Sequence, residues 1–318
     1  MEKFLIDEYD AKQRIDKFIR KNLNNTPLSM IYKLFRKKDI KVNGKPVKED
    51  YLLDIGDEVT IYLPVEKEKF IIEKEYRPVK PSFKIVYEDE NILMVNKSKG
   101  ILVHNAENKG MSTLTDQVIT YLVQKGEYNP KKLGFTPAPA HRLDRNTSGL
   151  VLYGKNMQAL QELNEAFKNK EQIQKYYLVL VAGKIKEEGI IDKRLLKNED
   201  NKMVRVVKEG GQSALTIYRP LKVSSNYSLV EAELKTGRTH QIRVHFASIN
   251  HPVIGDKKYG DFKTNAEFKK HFEWEDQFLH AYKVTFKDFE YLSYLNNKTF
   301  KAELDNQKAK IIKEIFKD

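Results

Sequence analysis

Apolar positions recur at helical spacing soon after the amino terminus. Ile15, Phe18 and Ile19 fall on one face of a helix, with Asp10 ahead of them as its cap. Thr26-Pro27 repeats the start signal, cap followed by first helical residue, and Ile31, Leu34 and Phe35 carry the second helix on. The period then shortens to two. Ile40 and Val42 alternate into Asn43-Gly44, a type I′ hairpin dipeptide, and Val59, Ile61 and Leu63 form a closing strand. Residues 10–63 are expected to run helix, helix, hairpin, strand.

Residues 65–82 read as a linker. Pro64 precedes them, Pro78 and Pro81 lie within them, and Lys alternates with Glu. Phe70, Ile71 and Ile72 are the residues there able to dock on a neighbouring domain. From 83 to 318 the pattern is mixed. Strands are expected at 84–88, 92–96, 150–154, 176–183, 214–220 and 227–235, and helices at 113–124, 156–169 and 304–317. Strands outnumber helices and the connections vary in length, so the class is α+β and not a βαβ repeat. No G-x-G-x-x-G or G-x-x-x-x-G-K-[ST] occurs, so a nucleotide cofactor has no support. The expected division is 1–64, 65–82 and 83–318.

Charge narrows the class of partner. The 318 residues carry 57 Lys and Arg against 45 Asp and Glu, a net +12. A balance this basic points to a polyanion, nucleic acid or an acidic membrane surface. The excess is concentrated: Lys12 to Lys48 holds 12 basic and 2 acidic residues, a local +10. Lys33, Arg36, Lys37 and Lys38 crowd the end of the second helix, and Lys41 follows. A solvated helix end would suit the macrodipole, but so one-sided a run fits phosphate contact better. Cysteine is absent, which excludes disulfides, thiolate metal sites and a cysteine nucleophile. The start MEKFLIDEYD is too acidic for a signal peptide. No run approaches the ~18 apolar residues of a membrane span, so a cytoplasmic, membrane-free protein is expected. A monomer is expected too.

Chemistry concentrates in His141-Arg142-Leu143-Asp144-Arg145-Asn146-Thr147-Ser148-Gly149. This polar loop feeds an apolar strand, a rigid place to hold a functional group. Asp144 is its one carboxylate, between Arg142 and Arg145. Opposite charge nearby keeps a carboxylate ionised, hence nucleophilic or basic. The bland alternative is an aspartate that braces a turn. Gly237 and Thr239 can start a helix that buries Ile242, Phe246 and Ile249 and ends at Asn250-His251-Pro252. Arg243 would emerge beside that stripe. His240 and His245 are five apart, on different faces, with no nearby carboxylate, so no metal site is expected.

Two resemblances sharpen this reading. RIDKFI, LFRKKDIKVNGKPV and GDEV resemble an S4 domain, a small RNA-binding module. HRLDRNTSGL (141–150) closely resembles the H-R-L-D-x-x-T-S-G signature of RluA-type pseudouridine synthases. ILMVNKSKGILVH (92–104), Lys175-Tyr176-Tyr177, TGRTHQIRVH (236–245) and GDKKYG (255–260) are similar to further family stretches, in family order. The resemblance covers about 83–290. Ser98 stands where the family usually has Pro, and Asn105 where Pro or Gly is common, which puts local loop geometry in question. A longer segment at about 125–140 precedes the signature.

The resemblance implies a mixed, mostly antiparallel sheet and the isomerisation of uridine to pseudouridine within RNA, on a flipped-out nucleotide. It implies Asp144 as the essential aspartate, attacking C1′ or taking the C2′ proton. Tyr177 would stack on the flipped uracil and assist loss of the C5 proton, with Tyr176 on the other strand face. Arg243 would pair with Asp144. Arg142 would fill the gap left by the nucleotide. His141 and Thr147 read as hydrogen-bonding supports of the loop, and Lys257, Lys258 and Tyr259 as contacts to the RNA backbone, with plain solvation the alternative. No metal or organic cofactor is called for. The layout resembles members that modify large-subunit ribosomal RNA, making 23S RNA the expected partner and transfer RNA the alternative. A non-enzymatic RNA-binding or ribosome-assembly factor would explain the charge but not the Asp144, Tyr177 and Arg243 set. A glycoside hydrolase would want a second carboxylate.

Overall fold

In the computed structural model, residues 1–63, 76–104, 111–130, 134–169, 171–198 and 203–317 are described. The first part of the expected linker, with Phe70, Ile71 and Ile72, lies outside them, as does Asn105.

The amino-terminal elements are β1 (Glu2–Leu5), α1 (Ile15–Asn22), α2 (Leu28–Arg36), β2 (Ile40–Val42), β3 (Lys45–Pro46) and β4 (Glu58–Ile61). The four strands form an antiparallel sheet in the order β1-β4-β2-β3. Ile15, Phe18 and Ile19 of α1 and Ile31, Leu34 and Phe35 of α2 bury against Ile40, Val42, Val59 and Ile61, as their spacing requires. Asn43 (φ 50°) and Gly44 (φ 77°) take the two left-handed positions of a type I′ turn.

Both expected caps are corrected. Asp10 does not cap α1, because residues 11–15 first pair with 51–53: Lys12 N–H donates to Leu53 O and Ile15 N–H to Tyr51 O. The helix therefore opens at Ile15, and Asp10 is buried, accepting from Gln13 Nε2 at 3.1 Å. Helix α2 starts one residue late. Pro27 sits at its cap position, where its carbonyl accepts from Met30 and Ile31. Leu63 lies past the end of β4 but packs on the same core. Strand β1, ahead of the first stripe, was not anticipated.

The larger part comprises β5 (Lys84–Glu88), β6 (Ile92–Lys97), α3 (Leu114–Gln124), β7 (Ala138–Pro139), β8 (Ser148–Gly154), α4 (Met157–Asn169), β9 (Ile173–Ala182), β10 (Gly189–Asp192), β11 (Arg194–Lys197), β12 (Val204–Val207), β13 (Leu215–Val223), β14 (Tyr227–Leu234), α5 (Gln241–Ala247), α6 (Phe262–Phe272), β15 (Leu279–Phe286), β16 (Thr299–Lys301) and α7 (Asn306–Phe316). Its main sheet runs β10-β13-β14-β9-β15-β8-β6-β5, with β16 on β15 and β7 on β8. Its pairs are antiparallel except β8 with β15, which is parallel. The fold is α+β with a mixed, mostly antiparallel sheet, as expected. Strands β11 and β12 form a separate hairpin.

Burial on both faces explains the continuous apolar runs. Leu93, Val95, Val151 and Tyr153 face Leu114, Val118 and Leu122 of α3. Their neighbours Ile92, Met94, Leu150 and Leu152 face Ala159, Leu163 and Ala166 of α4. A capping box between Thr113 and Asp116 opens α3. The tail of the expected linker docks on α3, where Val79 and Ser82 donate their N–H groups to Thr120 and Gln117. Helix α5 packs Ile242 and Phe246 over Tyr177, Val179, Val230 and Ala232. At Gly149 (φ 115°) the chain meets β15 so closely that a Cβ would fall inside the Ala281 carbonyl.

Candidate active site

A cleft of about 860 Å³ opens where the loop before β8 meets β9 and the start of α5. Arg142, Asp144, Tyr177, His240, Arg243 and Lys258 are among its walls.

The Asp144 loop is held from several sides. Thr147 N–H donates to Asp144 O at 3.0 Å, closing a tight turn. Gln277 Nε2 donates to Thr147 Oγ1 at 3.4 Å, and Asn146 Nδ2 to Asp276 Oδ1 at 2.7 Å. Arg145 points away from Asp144, and its Nε donates to Gly100 O at 3.0 Å. Lys97, fully buried, donates from Nζ to the carbonyls of Ser98, Ile101 and Arg145 at 2.8–3.0 Å. It thereby ties the loop to the turn after β6. Burial pulls the Lys97 ammonium down to about 7, and the Asp144 charge opposes the fall. His141 stacks on Phe167 at 4.3 Å, and its Nε2 accepts the Leu152 N–H at 3.3 Å. His141 and Thr147 thus brace the loop, as the resemblance implied. Ser98 sits in the turn that Lys97 closes.

Asp144 is partly open, its side chain 32% exposed. Its Oδ2 accepts from Arg243 Nη1 at 3.0 Å. No described residue donates to its Oδ1. Arg243 projects from the buried face of α5 and is itself buried, with 7% of its side chain exposed. Its other edge forms a bidentate pair with Asp256, Nε to Oδ2 at 2.6 Å and Nη2 to Oδ1 at 2.7 Å. Burial works against the guanidinium charge, but Asp256 and Asp144 outweigh it and raise its pKa. Asp256 has no exposed side-chain surface and also accepts the N–H groups of Lys258 and Tyr259.

Tyr177 reaches the cleft from β9 and is 8% exposed. Burial, reinforced by the Asp144 charge, raises the pKa of its hydroxyl, which stays protonated. Tyr176 lies on the opposite strand face, under the Lys283 ammonium at 3.9 Å. Arg142, Lys257 and Lys258 line the cleft as exposed cations. Lys33, Arg36, Lys37 and Lys38 are exposed along α2 and beyond, outside this cleft, while Lys41 is half-buried against Tyr62.

Sequence reasoning missed Asp256 and gave His240 and Tyr259 other roles. The spacing of His240 raises it only as a metal-ligand candidate. It precedes α5 in a left-handed conformation (φ 55°), so the helix starts at Gln241 and not at Gly237 or Thr239. Its Nε2 lies 3.8 Å from Asp144 Oδ2 and its Nδ1 2.8 Å from the Tyr259 hydroxyl. Asp256 and Tyr259 lie in the GDKKYG stretch, the available signal, which the sequence reading takes as RNA contact through Lys257, Lys258 and Tyr259. His245 is buried elsewhere, against Thr216 and the Lys193 carbonyl. Among the described residues no His, Asp and Glu cluster is placed to hold a metal ion.

Residues 91–248 match the family model described as RNA pseudouridylate synthase. Ribosomal large subunit pseudouridine synthase C of Vibrio cholerae is 38% identical over 292 residues, covering 88% of this chain and 87% of that protein. An uncharacterized RNA pseudouridine synthase of Mycoplasma capricolum is 35% identical over 94% of this chain and 96% of its own. Among solved structures, human RNA pseudouridylate synthase domain containing 4 aligns with a TM-score of 0.56 at 21% identity, over 71% of this chain and 90% of that one. That likeness extends to the fold.

Proposed function

The chain belongs to the RNA pseudouridylate synthase family, and on that footing we propose that it converts uridines of 23S ribosomal RNA to pseudouridine with Asp144 as its catalytic carboxylate. It is an RNA-directed isomerase. The N1–C1′ bond breaks, the uracil turns, C5 bonds to C1′, and the C5 proton leaves as N1 regains one.

The observation that carries the role of Asp144 is its pairing with Arg243, itself buried against Asp256. The cation occupies Oδ2 with a charge-assisted hydrogen bond. The unpartnered Oδ1 is left to meet the ribose, whether it attacks C1′ or removes the C2′ proton. Tyr177 offers its ring to the uracil and a protonated hydroxyl near C5. Arg142 fills the space the nucleotide vacates. A pure binding factor would have no use for a carboxylate held this way.

The ribosomal substrate is supported by the name of the Vibrio cholerae relative. The amino-terminal unit, residues 1–64, acts as an S4-like RNA-binding domain. Lys33, Arg36, Lys37, Lys38 and Lys41 meet phosphates there, while Lys257 and Lys258 do so beside the cleft. The enzyme works as a monomer in the cytoplasm, and sedimentation of the purified chain checks the first point. Among the described residues no helix is long and apolar enough to cross a membrane.

Tritium release from unmodified 23S RNA labelled at uridine C5 tests the function. Wild type releases the label and Asp144→Asn does not. Equal release by both removes Asp144 from the mechanism. Release from transfer RNA alone changes the substrate and keeps the reaction.

A further inference from the structure

We infer that His240 is a positioning residue for Asp144, held by Tyr259 in the tautomer that turns an N–H toward the carboxylate. The inference rests on the reading of Asp144 given above.

The argument starts at a backbone amide, which can only donate. Val204 N–H, at the start of β12, donates to the Tyr259 hydroxyl oxygen at 2.9 Å. That oxygen also lies 2.8 Å from His240 Nδ1. No other described group accepts the single Tyr259 hydroxyl hydrogen. If Nδ1 carried a proton, no described group would accept that hydrogen. Satisfying every donor puts the phenolic hydrogen on the bond to Nδ1 and leaves Nδ1 bare. The imidazole proton then sits on Nε2, the nitrogen 3.8 Å from Asp144 Oδ2. The reverse arrangement would set a lone pair against an anion.

The surroundings agree with a neutral ring. The charged or titratable groups facing His240 are Asp144, Asp256, Arg243, Lys258 and Tyr259. Burial lowers its pKa, Arg243 and Lys258 lower it further, and the two aspartates oppose them. His240 therefore adds a directed N–H dipole beside Arg243 without adding a second cation. The 3.8 Å separation is longer than a hydrogen bond and close enough to tighten when substrate fills the cleft. The ring cannot easily wander, since Tyr259 holds its far side and its backbone is left-handed at the start of α5. Arg243 and His240 thus address the same oxygen, Oδ2, from two directions.

Long-range ¹H–¹⁵N correlation on histidine-labelled wild-type protein reads the tautomer directly, with no turnover required. At pH 7 the Nε2–H form is expected for His240, and Tyr259→Phe should lose it in favour of a mixture. An Nδ1–H form in wild type overturns the inference. Kinetics supply the second arm. His240→Leu should lower kcat in tritium release by about 10- to 100-fold, the weight of one hydrogen bond to a charged group, with KM within about twofold. His240→Gln, which keeps an N–H at similar reach, should recover part of the loss. Wild-type kcat in His240→Leu overturns the inference. Asp144→Asn run alongside separates the two readings. Turnover surviving in Asp144→Asn removes the carboxylate itself. An inactive Asp144→Asn beside an unaffected His240→Leu removes only the role of His240.

Discussion

Arg243 and Asp144 are separated by 99 residues of chain and by 3.0 Å in space. The same guanidinium grips Asp256 with its Nε–Nη2 edge, so one planar cation fixes the loop before β8 against the loop after α5. A point charge cannot do this. Arg243→Lys is expected to keep net charge and lose the bridge, with kcat falling about 10²-fold or more for loss of a preorganised charged donor. Steady-state tritium release measures it, and near-wild-type turnover would show that the fork geometry is dispensable.

Asp256 predicts a different signature. Its carboxylate is fully buried and satisfies Arg243 together with two backbone amides. Asp256→Ala leaves the buried guanidinium with Asp144 as its remaining carboxylate, which costs up to about 3–5 kcal/mol of stability. Chemical unfolding should show that loss, and turnover should fall with it. A variant as stable as wild type would mean that water replaces the carboxylate.

Tyr177 separates ring from hydroxyl. Tyr177→Phe retains the buried ring and should leave KM within about twofold, while kcat falls if the hydroxyl serves proton loss from C5, typically by about 10²-fold for a general acid–base group. Tyr177→Ala also removes a buried aromatic from the α5 core and should cost about 3–5 kcal/mol of stability. Thermal melts beside kinetics distinguish the two. An unchanged kcat in Tyr177→Phe would confine the tyrosine to stacking.

Two buried histidines set a pH dependence of stability. Burial pulls His245 and His280 down to about 4 from the ordinary 6.5. Between those values the unfolded chain binds protons that the folded chain refuses, so stability rises with pH across that window. The urea midpoint should fall continuously from pH 6.5 toward pH 4. A midpoint flat from pH 7.5 to 5 would show that both rings accept protons in the folded state.

Salt should tell on affinity. If Lys33, Arg36, Lys37 and Lys38 meet phosphates, log affinity for RNA falls linearly with log salt, and each contact removed flattens the slope by about 0.7–0.9. Lys37→Gln and Lys38→Gln, alone and together, test this by filter binding. An unchanged slope would move the phosphate contacts elsewhere.

Much of this molecule was legible because the relevant signals are local. Thr113 opens α3 one residue inside the expected range, and Asn43-Gly44 turns as its φ requirements dictate. The polar loop carrying Asp144 stood out against a strand buried along its whole length. Other features depend on distant partners. Asp10 looks like a cap, yet pairing of residues 11–15 with 51–53 moves the helix start away from it. Strand β10 pairs with β13, and β15 with β8 and β9, none of them its neighbour in sequence, and helix α6 buries little besides Phe268. His240, Asp256 and Tyr259 form a set only once the loop after α5 folds back beneath Arg243. Nothing in their spacing marks that return.

The sheet order also dictates when the site can exist. Strand β15, which follows every other strand of the main sheet but β16 along the chain, lies between β9 and β8. Before it inserts, β5, β6 and β8 form one half-sheet and β9, β10, β13 and β14 another, each with an open edge. Asp144 belongs to the first half, and Tyr177 and Arg243 to the second. A chain still emerging from the ribosome, with residues 279–286 unmade, holds every residue of the cleft's chemistry but no cleft. Assembly of the enzyme is a late, long-range closure, of the kind that folds slowly and leaves strand edges exposed meanwhile.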